Sequence, residues 1–200
     1  PHLTETPLLF SESLSQALGA EIWLKLEMVS PIASFKIRGA LNALLCARER
    51  GDVSETVTSS TGNHGLGVSY ASRLLKLPAH IFLPERTNPV KERMLRRLGA
   101  QIYHAGQDID EAKEHAIDFA VRKKFTFVDD GESLDLMEGA GTVGLEIAKQ
   151  ISNLDLLLAP MGSGSLASGC AAALKGIQPA ARIIAVQSRQ APAMTESFHA

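Results

Sequence analysis

A lysine lies within the stretch SFKIRGA (residues 34–40), between Phe35 and Ile37, where a helical pattern begins. A cation beside the positive end of a helix dipole is electrostatically unfavourable. That position favours use of Lys36 as an amine, because a desolvated lysine amine attacks carbonyl groups. The alternative is an ordinary surface lysine, and the spacing alone does not distinguish the two.

A second polar stretch, TSSTGNHG (residues 58–65), follows a short apolar run. It combines several small hydrogen-bonding residues, namely Ser60, Thr61, Gly62, Asn63 and His64. A simple strand-to-helix turn needs one glycine and one capping residue. The surplus indicates a turn that binds a flat polar ligand. An elaborate helix cap would explain one or two of these residues, and a structural role stays open for the histidine.

A third stretch, MGSGSLASG (residues 161–169), lies between an apolar strand pattern and an alanine-rich helix pattern. Small residues let backbone N–H groups converge, and a helix N-terminus favours an anion such as phosphate. The glycines at 162, 164 and 169 are spaced two residues wider than G-x-G-x-x-G, and the Gly-Lys-Ser/Thr ending of a Walker A loop is missing. A phosphate site and a plain tight turn are both open.

Pyridoxal phosphate requires three features of its binding site: a reactive amine, a phosphate site and a loop that binds the ring. SFKIRGA, S-x-G-N-H-G and the small-residue loop, in this order, resemble the fold-type II pyridoxal-phosphate enzymes. The similarity is greatest to the serine/threonine dehydratase branch, since cysteine-synthase relatives carry a lysine motif nearer to S-V-K-D-R. TPLL, NPVKERMLRRLGA and EGAGTVGLEI extend the resemblance over the whole chain.

The resemblance implies a role for each matching residue. Lys36 would be the Schiff-base lysine and later the general base, Phe35 would pack beside the cofactor ring, and Asn63 would bind the ring 3′-oxygen. The phosphate would be bound by the backbone N–H groups of a loop that comprises Gly162, Ser163, Gly164, Ser165 and Leu166. The substrate carboxylate would be bound by the loop residues Ser60, Thr61, Gly62 and His64.

The implied reaction is α,β-elimination from L-threonine or L-serine, which gives a 2-oxo acid and ammonia. Racemisation, or elimination from another β-hydroxy amino acid, is an alternative on the same cofactor. Thr61 stands where racemases of this branch carry a serine that acts on the opposite face of the substrate. From another class, a nucleotide-binding α/β module without covalent chemistry stays open. A non-catalytic paralogue is disfavoured by the intact Lys36.

The resemblance also bears on metals and partners. Gln187 and Ala193 stand where metal-activated members carry acidic ligands, and a neutral amide is a weaker ligand for a hard cation. We therefore predict no metal site. Relatives continue well beyond Ala200, where they carry the partner of the ring nitrogen, so the chain is expected to be incomplete at its C-terminus. A homo-oligomer, dimer or tetramer, is implied, with a small amino acid as substrate.

The elements that position these motifs alternate along the chain. The apolar runs predict strands over 22–27, 55–60, 79–84, 101–106, 126–129, 154–160 and 181–188. Helices are predicted over 37–50, 63–75, 89–98, 109–122, 134–151 and 165–176, with Asp108 as an N-cap. This alternation predicts an α/β fold with open parallel sheets. The family resemblance implies two domains of the tryptophan-synthase-β type, 1–54 with 133–200 binding the cofactor and 55–132 carrying the asparagine loop.

Composition excludes some classes of function. Lys plus Arg number 20 and Asp plus Glu 22, for a net charge of -2, which lacks the basic excess that nucleic-acid or membrane-surface binding requires. Cys46 and Cys170 lie in apolar helical patterns, typical of core thiols in a reducing compartment. No apolar run reaches the roughly 18 residues of a membrane span. The predicted location is cytoplasmic.

Overall fold

The computed structural model describes residues 2–52, 54–131 and 133–199. Its strands are β1 (Leu8–Phe10), β2 (Trp23–Lys25), β3 (Thr56–Ser59), β4 (Ala79–Leu83), β5 (Gln101–His104), β6 (Thr126–Phe127), β7 (Leu156–Pro160) and β8 (Arg182–Val186). Its α-helices are α1 (Glu12–Leu18), α2 (Lys36–Glu49), α3 (Asn63–Leu75), α4 (Pro89–Arg97), α5 (Ile109–Lys123), α6 (Leu134–Gln150), α7 (Ser165–Ile177) and α8 (Ala193–His199).

The chain forms two compact units, Lys36–Gly139 in one and Pro1–Phe35 with Ala140–Ala200 in the other. Helix α2 is grouped with the first unit because it packs along α3. The domain boundaries expected from the resemblance, at 54/55 and 132/133, stay a prediction. We refer below to the Lys36–Gly139 unit as the central unit and to the other as the terminal unit.

The central unit contains a parallel four-stranded sheet in the order β5-β4-β3-β6. All five residues of β4 are buried, as expected for a strand covered on both faces. Helix α5 packs on β3 and β4 over a core built from Val57, Phe82, Ala116 and Ala120. The right-handed crossover rule places α5 on the face opposite α3 and α4. The predicted α/β fold with a parallel sheet is thereby confirmed.

The strand order of this sheet reverses at β3. Strands β4 and β5 extend to one side of β3, whereas β6 lies on the other side. Because β3 and β6 are parallel neighbours, the loop after β3 (residues 60–62) and the loop after β6 (residues 128–131) leave the same edge of the sheet. Ligands of open α/β sheets bind at such a switch point. We therefore expect the ligand-binding site of the central unit at this edge.

The terminal unit contains a parallel pair, β7 and β8, and an antiparallel pair, β1 and β2. The antiparallel pair departs from the all-parallel pattern expected from the sequence. The chain returns from β1 through the short helix α1, which ends at Gly19 in a left-handed turn with φ 64. Residues 11–22 bring Trp23 back opposite Phe10, so the chain reverses its direction between the two strands.

Close helix packing explains part of the EGAGTVG motif. A Cβ at Gly141 would lie 2.8 Å from the backbone oxygen of Gly169, and one at Gly144 would lie 2.9 Å from Cα of Cys170. These glycines let α6 approach α7 over a core that includes Val143 and Leu174. Within the described ranges, none of the helices combines the length and apolar character that a membrane crossing requires.

Candidate active site

Lys36 is the first residue of α2, and its side chain is mostly buried, with 17% exposed. Its Nζ donates a hydrogen bond to Oδ1 of Asp130, in the loop after β6. The backbone of Lys36 lies against α3, since a Cβ at Gly67 would be 2.9 Å from the Lys36 carbonyl oxygen. Close contact between α2 and α3 thus fixes the start of α2 at the switch point of the sheet.

Asp130 is presented by a turn that its neighbour stabilises. The carboxylate of Asp129 accepts a hydrogen bond from the Gly131 N–H at 2.7 Å. It also pairs with Nζ of Lys113, on α5, at 2.5 Å. Asp129 therefore anchors the loop to the sheet's helical layer, and Asp130 projects towards Lys36.

His64, the second residue of α3, is buried with 1% of its surface exposed. Its Nε2 lies 3.1 Å from the Val128 carbonyl oxygen and 3.1 Å from Oγ1 of Thr58, whose own hydroxyl donates to Val128 at 2.8 Å. Because a carbonyl only accepts, this network assigns the ring proton to Nε2. Nδ1 then carries the lone pair and lies 3.4 Å from Oδ1 of Asp130.

Burial lowers the pKa of His64 from its ordinary value of 6.5. The carboxylate of Asp130 and the Val128 carbonyl oppose this effect, and the nearby Lys36 cation adds to it. Loss of hydration is the largest cause, so the imidazole is neutral at pH 7. The cluster of Lys36, His64 and Asp130 accordingly holds a cation, an anion and a neutral ring.

Two buried polar atoms near the carboxyl end of β3 have no hydrogen-bond partner within the described part of the chain. They are Oγ of Ser59 and Nδ1 of His64. Buried polar groups are nearly always satisfied, so such atoms mark a place where a ligand or water completes the bonding. Both lie at the switch point of the central sheet.

The N-terminus of α3 carries most of the loop predicted to bind the substrate. The Gly62 N–H donates to Oγ of Ser60 at 3.1 Å, and the first intrahelical bond runs from Leu66 N–H to the Gly62 carbonyl at 3.4 Å. The N–H groups of Asn63 and His64 precede that bond, so they have no partner within the helix. Together with the helix dipole they favour an anion such as a carboxylate.

The side chains of this loop differ in their access. Thr61 and Asn63 are exposed, whereas the imidazole of His64 is enclosed by the central unit. If His64 contacts a substrate carboxylate, its backbone N–H is therefore the group that does so. The binding roles expected for Ser60, Thr61, Gly62, Asn63 and His64 stay predictions.

In the terminal unit, the loop predicted to bind phosphate leads into α7. Gly164 is the N-cap residue with φ 95 and ψ -19, and its carbonyl accepts the N–H of Ser168 at 2.9 Å. The N–H groups of Ser165 and Leu166 precede that bond and point out of the helix end. Gly162 is exposed, and a Cβ added to it would meet no atom within 4 Å, so the start of the loop is open.

Two serines replace glycines of the usual family loop without strain. Neither Ser163 nor Ser165 has a positive φ, so the backbone accepts both L-residues there. The phosphate role of residues 162–166 stays a prediction.

Two further predicted residues have protein contacts of their own. Phe35 packs against a terminal-unit cluster that includes Val143 and Leu174. Oε1 of Gln187 accepts from the N–H of Thr195 at 3.0 Å and from its hydroxyl at 2.9 Å. No group of three or more His, Cys, Asp or Glu side chains is placed to hold a metal among residues 2–52, 54–131 and 133–199. Independence from a metal stays a prediction.

Asp130 is the residue that sequence reasoning missed. It belongs to VDDG (residues 128–131), directly after a predicted strand, and acidic residues in that position commonly lie at a ligand-binding edge. The motif alone did not show which loop faces Lys36, because strand order is not visible in a single sequence. The reversal of the sheet at β3 brings the two together.

Comparison with known proteins agrees with the motifs. Residues 1–200 match the family described as pyridoxal-phosphate dependent enzyme. The chain is 37% identical, over 98% of its length, to "Threonine dehydratase 1 biosynthetic, chloroplastic" from Solanum lycopersicum, and it covers 32% of that protein. The curated relative is thus about three times as long as this chain.

Solved structures show the same similarity. The processed form of threonine deaminase isoform 2 from Solanum lycopersicum superposes with a TM-score of 0.92 at 33% identity, over 98% of this chain and 54% of that one. Maize serine racemase superposes with a TM-score of 0.93 at 28% identity, over 98% and 60% of the two chains. The resemblance to fold-type II enzymes near threonine dehydratase is confirmed, and the chain belongs to the pyridoxal-phosphate dependent enzymes.

Proposed function

We propose that the full-length protein is a pyridoxal-phosphate-dependent ammonia-lyase that converts L-threonine or L-serine into a 2-oxo acid and ammonia. One observation carries the proposal: the Lys36 amine lies at the switch point of the central sheet, in a cluster with the second residue of α3. Relatives named threonine dehydratase and threonine deaminase share this fold. The cofactor, when bound, withdraws electrons from the carbon that loses its proton.

Features of each unit, taken separately, support this cofactor. The open loop at residues 162–166 ends in N–H groups that have no partner within α7 and that suit a phosphate, and Asn63 is an exposed amide suited to the ring oxygen. The unpartnered Ser59 Oγ and His64 Nδ1 support a ligand near the end of β3. Phe35 is assigned to the ring by resemblance.

The substrate would be bound and its proton moved by the central unit. The N-terminus of α3, with Ser60 and Thr61, would hold the carboxylate of the amino acid. Lys36 would take the α-proton at Nζ once its amine is free. Holding the carboxylate and the base in one orientation supplies much of the protein's share of catalysis.

Racemisation is the second candidate, and two observations favour it. Maize serine racemase is among the similar structures, and the hydroxyl of Thr61 lies on an exposed loop residue. The family resemblance assigns a hydroxyl at this position to the face of the substrate opposite the lysine. Threonine is stiffer than serine at χ1, which limits how its hydroxyl adapts.

Product analysis tests the proposal. The full-length protein with pyridoxal phosphate is incubated with L-threonine, L-serine and other β-hydroxy amino acids, and 2-oxo acids, ammonia and D-enantiomers are measured. We expect 2-oxobutanoate or pyruvate in equal amount to ammonia. D-enantiomer as the sole product would assign a racemase. If borohydride reduces no lysine adduct, the result would support the alternative, a nucleotide-binding module without covalent chemistry.

The remaining expectations belong to this proposal. A net charge of -2 supports a small amino-acid substrate over nucleic acid or a membrane surface. A homo-oligomer and a cytoplasmic location are proposed with it, the latter supported by Cys46 and Cys170, whose thiols are not joined in a disulfide.

A further inference from the structure

The carboxylate of Asp130 accepts a hydrogen bond from the predicted catalytic amine of Lys36. We infer that Asp130 is a positioning residue: it engages the Lys36 amine in the cofactor-free protein, and the amine must leave it before reacting with an aldehyde. This inference rests on the proposed function only for the role of Lys36 as the amine that reacts with the cofactor. The engagement itself is a property of the central unit.

The contact is built into the fold. Lys36 is fixed by the close approach of α2 to Gly67 on α3, and Asp130 by a turn that Asp129 anchors through Gly131 and Lys113. Two adjacent carboxylates thus pair with two different lysines from two different helices. Neither pair depends on a long mobile loop within the described residues.

Lys36 is a cation that pairs directly with Asp130. His64, another titratable group beside this carboxylate, is neutral and turns a lone pair towards it. A neutral acceptor does not offset the negative charge. Asp129, the next carboxylate, is paired with Lys113.

The chemistry of an amine explains why this engagement matters. When an amine condenses with an aldehyde, the nitrogen lone pair forms the C=N bond and the aldehyde oxygen leaves as water. An ammonium group has no lone pair, so its extra proton must first pass to solvent. The contact with Asp130 directs the nitrogen at the carboxylate and covers part of its surface, so the amine must leave Asp130 before it reaches an aldehyde.

The size of the effect follows from exposure. The side chain of Asp130 is 42% exposed and that of Lys36 is 17% exposed, so solvent screens the pair in part. The upper part of the range for partly exposed ion pairs is about 0.6–1 kcal/mol, which corresponds to a reactivity change of about threefold to fivefold. Asp130 therefore lowers the reactivity of the Lys36 amine moderately and does not abolish it.

Competitive acetylation tests the inference without substrate or turnover. Full-length protein freed of cofactor is treated with trace acetic anhydride, and the labelling rate of each lysine is read by mass spectrometry, with exposed Lys149 as internal reference. Asp130→Asn should raise Lys36 labelling about threefold to fivefold and leave Lys113 unchanged. Asp130→Glu should restore the slow rate.

Asp129→Asn is the matched control, because it alters the neighbouring carboxylate in the same turn. Asparagine keeps the Oδ1 that accepts from the Gly131 N–H, so the turn is retained, and it loses the charge that pairs with Lys113. The variant should therefore raise labelling of Lys113 and leave Lys36 unchanged. Unchanged Lys36 labelling in Asp130→Asn overturns the inference, and so does an equal rise at Lys36 in both variants, which would mean collapse of the loop. If Asp130→Asn loses its far-UV circular dichroism, Asp130→Ser takes its place with the same expectation.

Discussion

The imidazole of His64 is held by contacts that use its two nitrogens differently. Nε2 donates into the end of the central sheet, whereas Nδ1 faces Asp130 without a hydrogen bond. The ring thereby ties the start of α3 to the loop after β6. We interpret His64 as a structural support for the loop that carries Asn63, with its neutral form required for the fit.

This neutrality predicts a dependence of stability on pH. The pKa of His64 is lowered in the folded protein, so below its ordinary value of 6.5 the unfolded chain binds a proton that the folded one does not. The free energy of unfolding should therefore fall as pH drops below 6.5, by up to about 1.4 kcal/mol per pH unit. Urea unfolding at about pH 7.5 and about pH 5.5 measures this change.

His64→Gln is the comparison for that measurement, since it keeps a polar side chain and removes the titration. The variant should be less stable at the higher pH and should lose less stability than the wild type on acidification. A pH slope identical in the two proteins would show that His64 does not titrate on unfolding.

At the residue scale, site residues can be predicted from the sequence where they lie in a local pattern such as a helix start. Lys36, Asn63 and the glycines of residues 162–164 stand at helix starts, and helix starts are readable from local spacing. The pairing of Lys36 with Asp130 spans 94 positions and depends on strand order. Nothing in the local pattern of VDDG distinguishes a site residue from the capped turn that Asp129 forms beside it.

At the scale of elements, the contact between α2 and α3 determines where Lys36 lies. Gly67→Ala would place a methyl group 2.9 Å from the Lys36 carbonyl oxygen, so one helix must move. We expect a loss of about 1–3 kcal/mol in the free energy of unfolding, as is usual for overpacking. Chemical denaturation measures it.

Gly176→Ala is the matched control, because a Cβ at that helical position meets no atom within 4 Å. Replacing glycine by alanine in a helix otherwise stabilises by about 0.5–1 kcal/mol, so this variant should be unchanged or more stable. Equal stability of the Gly67→Ala variant and the wild type would contradict the tight contact.

The loop before α7 supports a second prediction at this scale. Gly164 has φ 95, a conformation that valine adopts only with strain. Gly164→Val should distort the N–H groups that face the phosphate and raise the cofactor dissociation constant about tenfold, equivalent to about 1.4 kcal/mol. Cofactor titration monitored by absorbance measures this constant.

Gly99→Val separates strain from binding. Gly99 has a similar φ of 88 and lies at the end of α4, away from the loop. Both variants should lose stability, and only Gly164→Val should lose cofactor affinity. If cofactor affinity is unchanged in Gly164→Val, or is lowered equally in both variants, the loop is a tight turn without a role in phosphate binding.

The elements of the central unit could be predicted because each has a strong local signal. Helix α3 begins and ends where the spacing places it, and Asp108 caps α5 as expected by accepting from Asp110 N–H at 2.9 Å. The antiparallel pairing of β1 with β2 could not, since LLF and WLK are too short to show their partner. Helices α1 and α8 are short and mostly exposed, and their amphipathic signal is weak.

At the scale of the whole molecule, we predict activity without a divalent metal. Gln187 uses its amide oxygen to bind Thr195, and Ala193 offers no ligand atom. Treatment of the full-length protein with a chelator should therefore leave turnover unchanged. Turnover that is abolished by the chelator and restored by Mg²⁺ or Ca²⁺ would contradict this expectation.

The proposed function depends on Lys36 acting as the amine of a pyridoxal-phosphate enzyme. The direct measurement is 2-oxo-acid formation from L-threonine and L-serine by full-length wild type, Lys36→Ala and Lys36→Arg, with D-enantiomers assayed in parallel. Wild type should turn over, and both variants should lose at least about 100-fold, since neither side chain attaches the cofactor or accepts the α-proton at pH 7. Full elimination by either variant would contradict the role given to Lys36 and the function proposed from it.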